Sequence, residues 1–291
     1  MTKLLTLFFA VLLTFSACSS ENDKEIVIST NEWIGYAPLF YAYEKGELDK
    51  LHFKLIKNVS LAEAANLYAI GKADMVTTTQ HEYHSLQATT HDIVPVILMD
   101  RSNGGDMVLS NKSTEALKNS PQIYAYLEID SINKEILIDF ITHNKIDKNK
   151  IIFINKDQKQ IQNITNDKTK DILIVTYNPY NIALEAKGFQ EIASTKNINS
   201  ILVIDALCAR DKIIKTDKQR LIQLKKVLDN AINTIEQDPR ASYKVVAKYL
   251  SNISYKEYLN SLKQIKWINK PSKEFLDFIQ QYGYKKDTII R

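Results

Sequence analysis

Glycine is scarce in this 291-residue chain, which contains only 7. None of them falls in a GxGxxG or GxxxxGK[ST] pattern, so the sequence has no glycine-rich loop of the kind that holds nucleotide phosphates. A dominant charge is missing too, since 38 Lys and Arg stand against 34 Asp and Glu. Because the lysines are spread along the chain and form no basic stripe, we expect no nucleic-acid partner.

Catalytic and metal-binding patterns are also lacking. The sequence has only two cysteines and no Ser/His/Asp or Cys/His set that favours nucleophilic catalysis. The segment HEYH at 81–84 is not HExxH and has no third ligand at a suitable spacing. It predicts a partly solvated helix face, and we expect neither a metal nor a cofactor. Cys208 lies in the apolar run ILVIDALCA, which predicts a small buried residue.

The N-terminus has the pattern of an export signal. Lys3 precedes the apolar stretch LLTLFFAVLL, which is too short to span a membrane. Ser16 and Ala17 stand directly before Cys18, and this arrangement resembles a bacterial lipobox, although Phe15 stands where Leu is usual. We expect a signal peptide at 1–17, a lipidated Cys18 and a tether at 18–24, which would anchor the chain outside the cytoplasm. With Cys18 lipidated, no intramolecular disulfide is expected. A plain secretory signal with an incidental cysteine is the alternative.

Short apolar runs then alternate with helical patterns. In the first part, strands are predicted near 25–30, 52–58, 73–77 and 93–99, and the helices between them begin at Pro38, Ser60 and a Thr cap. This β-α-β order predicts a parallel sheet flanked by helices. A second α/β set follows, with a helix near 157–166 and another over 178–188, and the chain from about 216 onward is predicted to be essentially helical.

Extended segments join the two sets, near 102–110 and 200–210. Two crossings of extended chain are typical of a hinge between two lobes. The predicted division places 25–106 and 207–291 in lobe 1 and 107–206 in lobe 2.

Four segments resemble the type II solute-binding proteins of bacterial ABC importers, in the branch that binds nitrate, sulfonates, taurine and thiamine-pyrimidine precursors. They are NEWIGYAPLFYAYEKGEL, AANLYAIGKADMVTTT, SNGGDMVLS, and ILIVTYNPYNIALEAKGFQEIASTKNI followed by ILVIDALCARD. The resemblance implies a two-lobe α/β fold of the periplasmic-binding-protein type II class, with a helical C-terminal region. It also implies a monomer that traps a small solute between its lobes and delivers it to a permease and its ATPase.

Ligands of such lobes bind where strands end and helices begin. Applied to the predicted strands, this rule selects the following ligand-binding candidates: Trp33, Gly35, Tyr36, Thr78, Thr79, Asn103, Glu128, Ser131, Tyr177 and Asn178. Asp106 and Asp205 fall at the two crossings and are expected to serve the hinge.

Each candidate also has a structural alternative. The two aromatics, Trp33 and Tyr36, stack a planar or cationic ligand or else pack in the core. The two threonines bind a polar head group or cap a helix. Four further candidates line the cleft or have local roles instead. Those local roles are turn geometry for Asn103, a solvated loop charge for Glu128, and capping before Pro179 for Tyr177 and Asn178. The absence of Arg among the selected positions, together with their acids and aromatics, favours a neutral or amine-bearing ring as the ligand.

Two further functions compete with solute import. One is a pyrimidine-synthase-like enzyme of the same fold type, although the cysteine-rich motif of that enzyme is absent here. The other is a surface lipoprotein that uses the fold for adhesion or signalling, and it would be favoured by a cleft filled with the protein's own side chains.

Overall fold

The computed structural model describes residues 24–197 and 201–291. The predicted signal peptide and Cys18 lie outside these residues. The strands are β1 (Ile26–Asn31), β2 (Phe53–Asn58), β3 (Met75–Thr78), β4 (Ile93–Ser102), β5 (Asp106–Ser110), β6 (Ile123–Leu127), β7 (Ile151–Asn155), β8 (Asp171–Tyr177), β9 (Gln190–Ser194), β10 (Ile204–Arg210) and β11 (Ile265–Trp267). The helices are α1 (Ala37–Glu44), α2 (Leu61–Ala69), α3 (Gln80–Thr90), α4 (Thr114–Asn119), α5 (Ile132–His143), α6 (Gln158–Ile161), α7 (Asn181–Glu185), α8 (Asp211–Thr216), α9 (Lys218–Gln237), α10 (Pro239–Val246), α11 (Tyr255–Leu262) and α12 (Lys273–Phe278).

These elements form two sheets, and the chain passes between them twice. The first sheet has the order β11-β4-β10-β3-β1-β2 and the second the order β7-β6-β8-β5-β9. The parallel pairing predicted for the first sheet is confirmed for β1 with β2 and β3, whereas β10 pairs antiparallel with both β3 and β4. This strand returns from the second sheet and therefore runs against its neighbours. The two-lobe α/β architecture predicted from the sequence is confirmed.

The first sheet is covered on both faces. Ile28, Leu39 and Phe40 are fully buried on the side of α1, while Val76 and Tyr83 are fully buried in a second cluster on the side of α3. Removing a side chain of this size from water stabilises the fold by about 1.5–3 kcal/mol. The helices that follow the strands begin as predicted: Pro38 lies in the first turn of α1, and the Ser60 side chain caps α2.

The two crossings between the sheets lie side by side. The Ser102 and Thr195 hydroxyls are hydrogen-bonded at 2.7 Å, and the Ser102 amide donates to the Val203 carbonyl at 3.0 Å. The Thr195 hydroxyl also accepts from the Gly104 amide at 2.8 Å. The connections between the lobes are therefore extended segments that are hydrogen-bonded to each other.

Three predicted elements differ from the structure. The helix expected near 157–166 is limited to α6, and the helix expected from 178 begins only at Asn181, after a cis Asn178–Pro179 peptide bond. The C-terminal region is not purely helical, because β11 pairs with β4 at the edge of the first sheet. A strand of three residues between helices is too short to give a recognisable alternation pattern. No helix among the described residues is both long and apolar enough to cross a membrane.

Candidate functional site

The strand ends of the two sheets meet at a buried junction between the lobes. At the end of β1, the Asn31 Nδ2 donates to the Tyr177 hydroxyl at the end of β8, 3.2 Å away. The Trp33 and Tyr177 rings meet edge to face, with centroids 5.8 Å apart. Both contacts join one lobe to the other, so the loops selected by the strand-end rule lie together in the structure.

Trp33 fills a tight position where the lobes join. Its indole Nε1 donates to Asp100 Oδ1 at 3.2 Å, and the residue is only 4% exposed. A Cβ at Gly35 would lie 1.9 Å from Asp100 Oδ2, and a Cβ at Gly105 would lie 2.4 Å from the Trp33 Cη2. Both glycines are therefore required by the position of the indole and its carboxylate partner. The strand-end rule selects Gly35 but neither Gly105 nor Asp100.

Buried carboxylates surround this junction. Asp205 lies opposite Asp100 on the paired strands β10 and β4, and it accepts the Tyr36 hydroxyl at 2.5 Å. Burial raises the pKa of Asp100 and of Asp205 well above the usual range, and it raises the pKa of Asp106 to about 7. Asp100 Oδ2 and Asp106 Oδ2 are buried without a hydrogen-bond partner. Tyr36 is thus tied to Asp205, one of the two acids predicted to serve the hinge, and is fully buried.

The two candidate threonines are engaged by the protein. The Thr78 hydroxyl lies 3.3 Å from Cys208 Sγ, and both residues are fully buried. Thr79 caps α3: its hydroxyl accepts from the His81 amide at 3.2 Å, and its own amide donates to Glu82 Oε2 at 3.0 Å. This reciprocal arrangement is a capping box, and it is the capping alternative that the sequence left open for Thr79.

Glu82 connects the two lobes. While its Oε2 closes the capping box of α3, its Oε1 accepts from the Ile132 amide, the first residue of α5 in the other lobe, at 3.0 Å. Ser131 caps the same helix, since its hydroxyl accepts from the Asn133 amide at 3.2 Å. Glu82 is 2% exposed. The sequence analysis missed it, although T-x-x-E at 79–82 is a capping-box signature that marks this residue as locally bound.

Glu128, at the end of β6, is the second buried carboxylate of the cleft. Its Oε1 accepts from the Gln158 amide at 3.2 Å, and its Oε2 is buried without a partner. Burial, with help from the negative charge of Glu82, raises the pKa of Glu128 to about 8. The backbone amides of Gln158 and Leu61 oppose that rise, and Leu61 belongs to the first lobe. The predicted side chain therefore faces both lobes.

Asn178 and Asn103 lie towards the C-terminal region. The Asn178 Oδ1 accepts from the Ser261 hydroxyl at 2.6 Å, and its Nδ2 donates to the Gln264 side chain. The Asn103 amide donates to the Gln264 carbonyl at 2.8 Å. A groove of about 570 Å³ opens beside Asn178, and its lining includes acids and amides but no Lys, Arg or His. It is lined by Asn178, Asn181, Ile182, Glu185, Phe189, Gln190, Glu191, Glu257, Asn260, Ser261 and Gln264.

The histidines of HEYH have protein partners. The His81 Nδ1 lies 2.6 Å from Glu135 Oε1 on α5, and the His84 Nε2 lies 2.7 Å from the Tyr282 carbonyl oxygen. Hydrogen bonding to Glu135 raises the pKa of His81. Within residues 24–197 and 201–291, no group of three or more His, Cys, Asp or Glu is arranged to hold a metal ion. His81 instead adds a second polar contact between α3 and α5, next to Glu82.

Comparison with solved structures finds the same fold in ligand-binding components of importers. The alkanesulfonate-binding protein SsuA from Xanthomonas axonopodis pv. citri, bound to MOPS, matches 94% of this chain and 100% of its own at TM-score 0.72 and 12% identity. A zinc-bound ligand-binding component of an ABC-type import system from Staphylococcus aureus matches 92% of this chain and 96% of its own at TM-score 0.71 and 13% identity.

The periplasmic nitrate-binding protein NrtA from Synechocystis PCC 6803 covers 81% of this chain and 69% of its own, at TM-score 0.65 and 11% identity. The chain therefore has the two-lobed periplasmic-binding-protein fold of the type II class, as the sequence resemblance implied. At these identities the likeness concerns the fold. No protein-family model matches the sequence, and no curated protein matches it at the sequence level.

Proposed function

We propose that this chain is the solute-binding component of an ABC importer, which captures a small organic solute between its lobes and delivers it to a permease. One observation carries the proposal: loops from both lobes converge on buried oxygen atoms that have no partner in the protein, among them Asn31 Oδ1 and Glu128 Oε2. Buried polar atoms are almost always hydrogen-bonded, so such a group at a lobe junction favours a bound solute. The fold shared with import components supports the same function.

The proposal includes a closing motion about the paired crossings. Lobe 1 comprises 25–106 and 207–291, and lobe 2 comprises 107–206. In the closed arrangement Asn31 and Tyr177 touch, and Glu82 reaches Ile132. These few polar contacts release when the crossings bend, which admits the solute from outside. The other ligand-binding candidates, including Trp33, Tyr36, Thr78 and Asn178, act as the supports that fix the loops around it.

The proposal also places the chain at a membrane. Export by the signal at 1–17 and lipidation of Cys18 would hold a monomer on the outer side of the cytoplasmic membrane or on the cell surface, with 18–24 as its tether. A chain anchored by two or more acyl groups stays at the surface where its permease lies. We propose no catalytic step for it, which agrees with the binding role of its structural neighbours.

Uptake measured together with binding tests this function. A panel of sulfonates, nitrate, pyrimidines and amines is added to the full-length chain, and the melting temperature is recorded. We expect one class to raise it in proportion to concentration, and we expect cells lacking the gene to lose high-affinity uptake of that solute. A bound solute whose uptake is unchanged in those cells contradicts the import function.

A further inference from the structure

Anions are usually recognised in such clefts by the free amides at helix N-termini, where the helix dipole is positive. In this chain several amides at the helix starts beside the lobe junction are already bound by side chains. At α3 and α5 the acceptor is one carboxylate, that of Glu82, which accepts from the Thr79 and Ile132 amides at 3.0 Å each. The side chain of Ser60 accepts from the Glu63 amide at the start of α2.

Glu82 thus stands where an anionic ligand would bridge the two lobes. Its carboxylate is buried and reaches one helix of each lobe at the same time. A second anion at these amides would displace it or lie against its charge, and like charges a few ångströms apart in a buried site repel strongly. The Glu82 carboxylate therefore occupies the position of a bound anion.

What remains without a partner in the cleft is mostly able to accept hydrogen bonds. Asn31 Oδ1, Asp100 Oδ2 and Asp106 Oδ2 are buried oxygens without a hydrogen-bond partner, and Glu128 Oε2 also has none, although the Leu61 amide approaches the Glu128 carboxyl from the first lobe. Asn31 is fully buried and uncharged, and its Nδ2 bonds to the other lobe. Its unpaired Oδ1 is therefore an observation separate from the unpaired oxygens of the carboxyl groups. An unpaired buried acceptor destabilises the protein, and a ligand that donates a hydrogen bond to it removes that cost.

No basic side chain neutralises these acids. Among the described residues, no lysine, arginine or histidine is among the groups that act on Glu128, Asp100 or Asp106, and Lys57, at the end of β2, is paired with Glu32 at 2.9 Å. The charged groups that act on Glu128 are Glu82 and Asp157. Those that act on Asp205 are also acidic, namely Asp100, Asp106 and Glu82. Burial therefore holds protons on these carboxyls while no cation from the described part of the chain is beside them, and a cation bound next to Glu128 would supply the missing counter-charge and favour its ionised form.

We infer that the solute carries a protonated amine, which donates to Glu128 Oε2 and Asn31 Oδ1, and that the cleft rejects sulfonates and nitrate. This inference rests on the proposed function and names its substrate class. The chemistry is the reverse of that in the SsuA and NrtA neighbours, whose names record sulfonate and nitrate binding. The shared fold thus carries a site of opposite charge.

Matched probes test the charge preference. Ethylamine, 1,4-diaminobutane and benzylamine are compared with ethanesulfonate, 1,4-butanedisulfonate and benzenesulfonate on the full-length chain by thermal shift. We expect the amines to raise the melting temperature and the sulfonates to leave it unchanged. In Glu128→Gln we expect the apparent affinity for the amines, obtained from the concentration dependence of the shift, to be at least tenfold lower. Stabilisation by the sulfonates overturns the inference but leaves the receptor function standing, whereas no response to any amine overturns the inference directly.

A rescue experiment tests the role of Glu82 without knowing the solute. In Glu82→Ala the amides of Thr79 and Ile132 lose their carboxylate, so formate should raise the melting temperature of this variant by several degrees and leave the wild type unchanged. Glu257→Ala removes a capping-box glutamate of the same kind in α11 and is the matched control. If Glu82→Ala does not fold, Glu82→Gln is used, for which benzenesulfonate should become stabilising. The inference is contradicted if formate stabilises the wild type as much as it stabilises Glu82→Ala. It is also contradicted if formate does not stabilise Glu82→Ala and benzenesulfonate does not stabilise Glu82→Gln.

Discussion

The Glu82 carboxylate accepts the Ile132 amide at 3.0 Å and so joins the first turn of α3 to the first turn of α5 in the other lobe. Hydrogen bonds to a charged group contribute about 1.5–3 kcal/mol. Because this contact forms only when the lobes are together, it stabilises the closed arrangement. In the proposed function, this one side chain therefore links the capture of a solute to the contact between the lobes.

Glu82→Gln should loosen that contact. The amide side chain retains an acceptor but loses the charge, so we expect the Ile132 amide to exchange hydrogen at least fivefold faster and the lobes to open more often. Hydrogen exchange resolved at the start of α5 measures this, and small-angle scattering reports the opening. Glu257→Gln in α11 should leave α5 unchanged. Unaltered exchange at Ile132 in the Glu82 variant contradicts a role in closure.

Trp33→Phe should destabilise the chain more than a simple loss of area predicts. The phenyl ring keeps most of the packing, but Asp100 Oδ1 loses its indole donor while Oδ2 already has none. Leaving a buried carboxyl oxygen unpaired costs about 1–3 kcal/mol. Chemical denaturation measures the free energy of unfolding. Trp267→Phe on the half-buried edge strand β11 is the control, and an equal effect of both changes contradicts the importance of the Asp100 contact.

Gly105→Ala tests how closely the backbone of the first crossing packs against Trp33. The added Cβ would lie 2.4 Å from the Trp33 Cη2 and 3.1 Å from the Gln264 carbonyl oxygen. Overpacking of this kind costs about 1–3 kcal/mol. Because the clash is mainly with the indole, Trp33→Ala should remove most of the cost of Gly105→Ala, and the double-mutant cycle should show a coupling of more than about 1 kcal/mol. Additive effects of the two changes mean that the indole is not the limiting contact.

The buried acids predict a stability that falls as pH rises. An acid whose pKa is raised in the folded state keeps its proton there while the unfolded chain has lost it, so folding takes up protons between the two pKa values. For Glu128 the folded pKa is raised to about 8, and for Asp106 to about 7. The stabilising contribution is full below the unfolded pKa of about 4 and is lost as pH rises to about 8.

Glu128→Gln isolates one part of that slope. The groups facing Glu128 are Glu82 and Asp157, with the amides of Gln158 and Leu61 acting against them. The paired His81 contributes in the same direction, so the total slope does not identify one residue. Without the Glu128 carboxyl, folding should take up about one proton fewer between pH 5 and 8. The free energy of unfolding should therefore fall less steeply in this window, by about 1.4 kcal/mol per pH unit. Denaturation across this range measures it, and an identical slope in wild type and variant contradicts the assignment.

Thiol counting tests both cysteines. Cys208 is fully buried beside Thr78, and burial raises its pKa to about 12, so it should not react with a thiol reagent at pH 8 in the native chain. After denaturation, one thiol per chain is expected if Cys18 carries lipid on its sulfur. Two thiols show that Cys18 is free, and rapid native reaction of Cys208 contradicts its burial.

The sequence predicted the strand-end loops, because β-α alternation and helix caps such as Ser60 and Thr79 are local patterns. It placed Asn178, Glu128 and Tyr177 at the correct ends of their strands. It missed Glu82, Asp100 and Gly105, whose importance depends on which strands and helices meet across the cleft. It missed β11 for the same reason, since three residues become a strand only by pairing with β4.

Charge selectivity in wild type and Glu128→Gln is the most direct test of the central claim, which is that the cleft between the lobes binds a small cationic solute. The measurement is a calorimetric titration of the full-length chain with benzylamine and with benzenesulfonate at pH 7.5. The account predicts saturable binding of the amine at one site per chain, weakened at least tenfold in the variant, and no binding of the sulfonate. Binding of the sulfonate, or amine binding that the variant leaves unchanged, contradicts it.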